Sequence, residues 1–533
     1  MKLSRKAGVL LHPTSFPSPY GIGDLGQYAY DFIDFLEDSN QTLWQILPLG
    51  PTSFGDSPYQ SFSTFAGNTL LISPKLLEKD GLLHKSQMHI PNFSDNRVDY
   101  GHVQDYKHSL FVKAFENFVP NADYKKFCKQ NWVNDYALFI SLKKHFIEER
   151  KNGGKGEEYA AYKKLNKKYL SPSAIDDCYF GAIWNSWPQD IANRKPAAIK
   201  HYTNLLRSQI DYEKFLQYEF FRQWGLLKTY ANKKDVQIIG DIPIFVSIDS
   251  CDVWTNPKLF YLDTNNNPTV VAGVPPDYFS EKGQLWGNPL YNWEAHKAEK
   301  FAWWKARMKA CLQTVDVVRV DHFRGFEAYW SVKYGAENAI KGKWEKGIGK
   351  ELFVALRETL GQDLPIIAED LGVITPEVEA LRDDLGLPGM KILQFAFGGD
   401  EKNLYLPHSY PHKNCVVYTG THDNDTTIGW YNTATEKQKD HFRRYTNSSG
   451  HNSAWDMMRL AYSTVADYCI IPLQDILIQD SYYRMNTPGE AENNWKYRYD
   501  MHAFSQEIID YLCYLTELYN RKPVKKHTDQ DLL

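Results

Sequence analysis

The sequence predicts an α/β protein of eight strands alternating with helices or helical insertions, and three observations carry that prediction. Short β-branched or apolar runs recur along the chain, each turning polar where it ends. Apolar stripes at i, i+3, i+4, i+7 separate many of them. Asp321, Glu369 and Asp423 each close one of the runs, about fifty residues apart in sequence. A (β/α)8 barrel and a doubly wound sheet alternate in the same way, so the strand count alone leaves both open.

The first strand covers residues 7–13 and runs into a proline-rich loop and Gly21-Ile22-Gly23-Asp24-Leu25-Gly26. This matches G-x-G-x-x-G, but prolines separate strand from glycines and the next strand ends in Pro48-Leu49-Gly50 rather than an acid. Both features argue against a dinucleotide site. Ala29, Phe32, Ile33 and Leu36 mark the helix that follows, and residues 42–47 form the second strand. Residues 73–234 turn helical and Lys-rich, which predicts an inserted helical subdomain between strands two and three. Its stripe of Phe215, Tyr218, Phe221, Trp224 and Leu227 reads as core. Residues 236–246 are the third strand, and residues 247–300 form a Gly-, Pro- and aromatic-rich loop subdomain over the rim. Regular alternation then returns, with strands over 315–321, 364–372, 391–396, 415–421 and 470–473. The whole of residues 1–533 is read as one catalytic domain with these two insertions.

Composition narrows the function classes. A formal net charge of −4 without a large basic block argues against nucleic acid. The 15 Trp and 35 Tyr suit a groove that stacks on flat ligands such as sugar rings, besides filling core. No run approaches a membrane span, and the apolar start is too short for a signal peptide. Seven scattered Cys without a CxxC pair point to a reducing, cytoplasmic compartment. There is no Ca²⁺ loop and no HExxH, so neither a metal nor an organic cofactor is expected.

The fourth strand, Val315-Asp316-Val317-Val318-Arg319-Val320-Asp321, leads into His322-Phe323-Arg324-Gly325. A structural ion pair between Arg319 and Asp321 is the plain reading of that stretch alone. Acids on three strand ends favour chemistry instead, because parallel strands in a barrel direct their C-terminal ends to one rim. Two carboxyls across a sugar bond suffice for glycosidic chemistry.

The segments LLHPTSFPSPYGIGDLG, GDSPYQSFSTFAGN, IIGDIPIFV, VVAGVPPDYFS with GQLWGNPLYNW, VVRVDHFRGF, IIAEDLG, YTGTHDNDTTIGWY and RMNTPGE occur in that order from residue 8 to about 498. Through them the chain resembles glycoside hydrolase family 77, the amylomaltases of the α-amylase clan. The resemblance implies a (β/α)8 TIM barrel with long helical and loop insertions and no separate C-terminal β-domain. It also implies α-1,4-glucan transfer, with Asp321 as nucleophile, Glu369 as general acid/base and Asp423 as transition-state stabiliser. His322 and His422 resemble donor-subsite histidines. Asp241 matches the acid of the third-strand motif, and Tyr59 a tyrosine that stacks on glucose. The loop holding Asp277 and Tyr278, with Trp286 beyond it, resembles one that folds over the glucan. Arg319 would share a strand face with Asp321 and keep it ionised. Two stretches depart from the family pattern: Asn494-Trp495-Lys496-Tyr497-Arg498, where the family usually has NWxWR, and Gln479-Asp480-Ser481-Tyr482-Tyr483. An α-amylase-type hydrolase with the same acids and a non-catalytic glucan-binding protein are the rival readings.

Overall fold

In a computed structural model, which describes residues 4–276, 280–490 and 492–523, eight parallel strands form a nearly closed barrel. The barrel strands are Lys6–Leu10, Leu43–Gln45, Gln237–Pro243, Val317–Asp321, Ile366–Ala368, Gly389–Ile392, Cys415–Tyr418 and Tyr468–Pro472. They pair in chain order, with the eighth beside the first. Between the fifth and sixth strands the Ala368 N–H donates to Pro388 O at 2.9 Å.

Period-two alternation decides what each strand buries. Leu10, Leu43, Ile239, Val317, Ile367, Met390, Val416, Tyr418 and Ile470 form one buried cluster, the filled barrel interior. Val9, Trp44, Ile238, Val318, Val320, Val417 and Ile471 belong to a second core shared with the surrounding helices. Removing an interior side chain, as in Ile367→Ala, should cost about 2–5 kcal/mol. The same parity fixes the chemistry above this layer. Two residues past Ile239 comes Asp241, past Val317 come Arg319 and then Asp321, and past Ile367 comes Glu369.

Several sequence expectations need adjustment. The sixth strand stops at Ile392 and passes into a 3₁₀ turn, Leu393–Phe395, instead of running to residue 396. Within 247–300, Val270–Val274 and Gln284–Pro289 are true strands. They join Ala328–Lys333 and Gly342–Lys346 in a four-stranded antiparallel sheet that the reading of the sequence did not contain. Between the second and third barrel strands lie helices, the longest being Asn131–Gly153 and Arg207–Lys233, packed on each other. Phe215, Trp224 and Leu227 are buried, and the Trp224 indole N–H donates to Thr314 O at 2.8 Å.

The glycine motif has a packing explanation. A Cβ on Gly23 would lie 1.9 Å from Pro13 O, so only glycine lets the chain cross the Pro13–Ser15 turn. The Asp24 carboxylate accepts the Gly26 N–H at 2.7 Å and the Ser18 hydroxyl at 2.6 Å. The start of helix Gln27–Asp38 therefore already carries an acid where a phosphate would have to sit.

Candidate active site

One chain of contacts runs across the strand-end rim. Arg319, buried inside the barrel, donates through Nη1 to Asp241 Oδ2 at 2.6 Å and to Asp321 Oδ1 at 3.0 Å. Strand register explains the first bond, since Asp241 and Arg319 are direct partners on neighbouring strands. The second is the same-face pair expected from the sequence. A buried guanidinium beside a carboxylate favours its ionised form. For Asp241, burial dominates and raises its pKa to about 6 against the pull of Arg319.

Beyond Asp321 the backbone enters the left-handed region at His322, φ +53°. A non-glycine residue held there is strained, as residues at functional sites often are. The conformation is tied to the general acid/base candidate: the His322 N–H donates to Glu369 Oε2 at 2.6 Å and the Phe323 N–H to Glu369 O at 3.1 Å. Leu371 N–H donates to Glu369 Oε1 at 2.8 Å. Burial, then the Asp321 carboxylate, push the Glu369 pKa up to about 8, outweighing Arg319 and the two backbone donors. Glu369 is thus protonated at neutral pH while it sits beside an anion. Burial holds the His322 imidazole down to about 4, so it is neutral, and the Trp286 ring meets it edge to face at 4.8 Å.

The other flank is built around Tyr59. Its hydroxyl donates to Asp241 Oδ2 at 2.8 Å, and its ring stacks on His422 with centroids 5.1 Å apart. Burial keeps the phenol protonated, well above its ordinary pKa. His422 Nε2 lies 3.3 Å from Asp423 Oδ2. Desolvation would raise Asp423, but His422, Asn486 and Arg319 hold it well below the usual carboxylate range. Desolvation likewise opposes the charged form of His422, yet the Asp423 partnership raises its pKa. The loop carrying Tyr59 is anchored by its neighbours. Cys251 N–H donates to Phe62 O at 2.8 Å, and Asp252 accepts both the N–H and the hydroxyl of Thr64, at 2.8 and 2.7 Å. Lys143 reaches from the inserted helices to Asp249 in the same region.

Asp241, Arg319, Asp321, His322, Glu369, Tyr59, His422, Asp423 and Trp286 are therefore linked by direct contacts, whereas Asp277 and Tyr278 lie outside the described residues. Sequence reasoning missed Asn486, whose amide donates to Asp423 Oδ1 at 2.6 Å, and Arg484, which donates to Asp423 O. It also gave no role to Trp495, 5.8 Å from Tyr59 and 6.0 Å from His422 between ring centroids. The RMNTPGE segment carried the signal for the first two. Among the described residues no cluster of His, Cys, Asp and Glu is arranged to hold a metal ion.

Comparison with known proteins gives the same picture. The family described as 4-alpha-glucanotransferase matches residues 11–164 and 149–503. The 4-alpha-glucanotransferase of Synechocystis sp. is 46% identical, over 98% of this chain and 99% of that protein. The Thermus thermophilus 4-alpha-glucanotransferase is 45% identical, over 93% and 95%. The solved structure of an amylomaltase from Streptococcus agalactiae in complex with acarbose aligns with a TM-score of 0.88 and 38% identity, covering 97% of this chain and 100% of that one. The chain belongs to glycoside hydrolase family 77, the 4-alpha-glucanotransferases.

Proposed function

We propose that this enzyme moves α-1,4-glucan segments from a maltooligosaccharide or starch-type donor to the 4-hydroxyl of glucose or another glucan by retaining double displacement. The observation that carries the mechanism is the buried Glu369 carboxyl, its pKa raised by burial and by Asp321, on the same rim as the Arg319–Asp321 pair. Asp321 attacks the anomeric carbon. The bond from that carbon to the departing 4-oxygen breaks, and the Glu369 proton goes to that oxygen. Glu369, now a carboxylate, takes the proton of the incoming 4-hydroxyl as the new glycosidic bond forms and the bond to Asp321 breaks. Asp423, kept ionised by His422 and Asn486, stabilises the positively charged sugar of the transition state. Tyr59, Asp241, His322 and His422 line the donor sugar, and Trp286 covers the glucan. The 73–234 and 247–300 segments are insertions within one barrel domain on this reading. Seven unpaired cysteines support a reducing, cytoplasmic setting.

Incubation with maltotriose tests the reaction. Glucose together with oligosaccharides longer than the substrate is the expected outcome. Shorter products alone would favour the hydrolase and contradict transfer.

A further inference from the structure

The loops bearing Asp321 and Glu369 are joined by Arg324, whose Nη1 donates to Val373 O. Arg324 is buried, has no carboxylate partner among the described ion pairs, and its Nε has no protein acceptor. What covers it is an indole: the Arg324 Cζ lies 3.9 Å from the Trp344 ring centre. Trp344 sits on the edge strand of the four-stranded sheet, directly opposite Trp330, with ring centroids 5.3 Å apart at 68°. Trp330 is itself locked, donating to Ala339 O at 2.8 Å and closing over Gly342, where a Cβ would fall 2.2 Å from the indole nitrogen. Trp344 nevertheless remains 42% exposed, and Val373, across Arg324, is 54% exposed.

We propose that Trp344, braced by Arg324 and flanked by Val373, is a stacking platform for acceptor-side units of an α-1,4-glucan. The proposal rests on the transferase reading above. Glu369 protonates the departing oxygen and later deprotonates the incoming one, so the leaving and accepting chains must pass its loop. Val373 belongs to that loop, four residues on. Through Arg324 the platform is tied to the loops that follow both catalytic acids. The C–H face of a glucose unit matches an exposed indole. Cation–π contact holds the ring in place, so binding a sugar costs little side-chain entropy.

The test is acceptor-length dependence at a fixed donor, with glucose, maltose, maltotriose and maltopentaose as acceptors. In Trp344→Ala the acceptor KM should rise more with each added unit, reaching roughly three- to tenfold for maltopentaose, with kcat little changed. Trp344→Phe should keep most of the wild-type length profile, while Trp344→Leu, similar in bulk but without a flat face, should lose it. The Leu variant serves as the test if the Ala variant fails to fold. A loss equal for all acceptors, or no loss, would overturn the platform. A wild-type enzyme that cannot disproportionate maltotriose would instead defeat the transferase reading itself.

Discussion

Glu369 and Asp423 each follow a barrel strand, and the same network of contacts joins them, yet their surroundings drive their protons in opposite directions. Glu369 accepts two backbone N–H groups, which by themselves favour a carboxylate. Burial and the adjacent Asp321 outweigh them and keep the acid neutral. Asp423 is about half exposed, beside His422 and under the Asn486 amide, and stays ionised. The difference shows that hydrogen-bond count does not set ionisation here. The sign of the nearest charge does, Asp321 for the one acid and His422 for the other. The fourth- and fifth-strand flank is an acid held beside an anion, and the seventh-strand flank is an acid held beside an imidazole.

Substitutions should break this contrast in order of severity. Asp321→Asn removes the nucleophile and should lower kcat by about 10⁴-fold or more in steady-state transfer assays. Glu369→Gln should cost roughly 10²–10⁴-fold, and much of the loss should disappear with a glycosyl fluoride donor, whose leaving group needs no proton. Asp423→Asn should cost about 10²–10³-fold in kcat and, unlike Glu369→Gln, should not be rescued by the fluoride. Asn486→Ala removes one charge-assisted hydrogen bond and should lower kcat/KM by about tenfold. The smallest effect is on stability. The folded-state pKa of Glu369 is raised, so the wild type loses stability as pH rises from the ordinary carboxylate range toward about 8. Glu369→Gln should therefore gain on the wild type across that window in denaturant titrations, and gain nothing in acid.

Much of this was legible in the sequence because barrel strands write their burial plainly. Val317, Val318 and Val320 could only be a strand buried on both faces, and parity then put Arg319 and Asp321 on one side. The Arg319–Asp241 bond was not legible, since it depends on the register of two strands 78 residues apart. The contact of Asn486 with Asp423 spans 63 residues and follows no local period. The small antiparallel sheet escaped because its strands carry Gly273, Gly287 and Gly342 and are rich in charge at Lys343, Glu345 and Lys346. The family resemblance supplied roles that spacing alone could not.

The opposed ionisation of the two acids can be read directly by infrared titration of the protonated-carboxyl band that disappears in Glu369→Gln. Wild-type enzyme should show this band at pH 7 and lose it with a midpoint near 8, in step with the alkaline fall in kcat/KM. A midpoint in the ordinary carboxylate range, with activity unchanged through pH 8, would contradict the assignment of Glu369 as the resident proton donor.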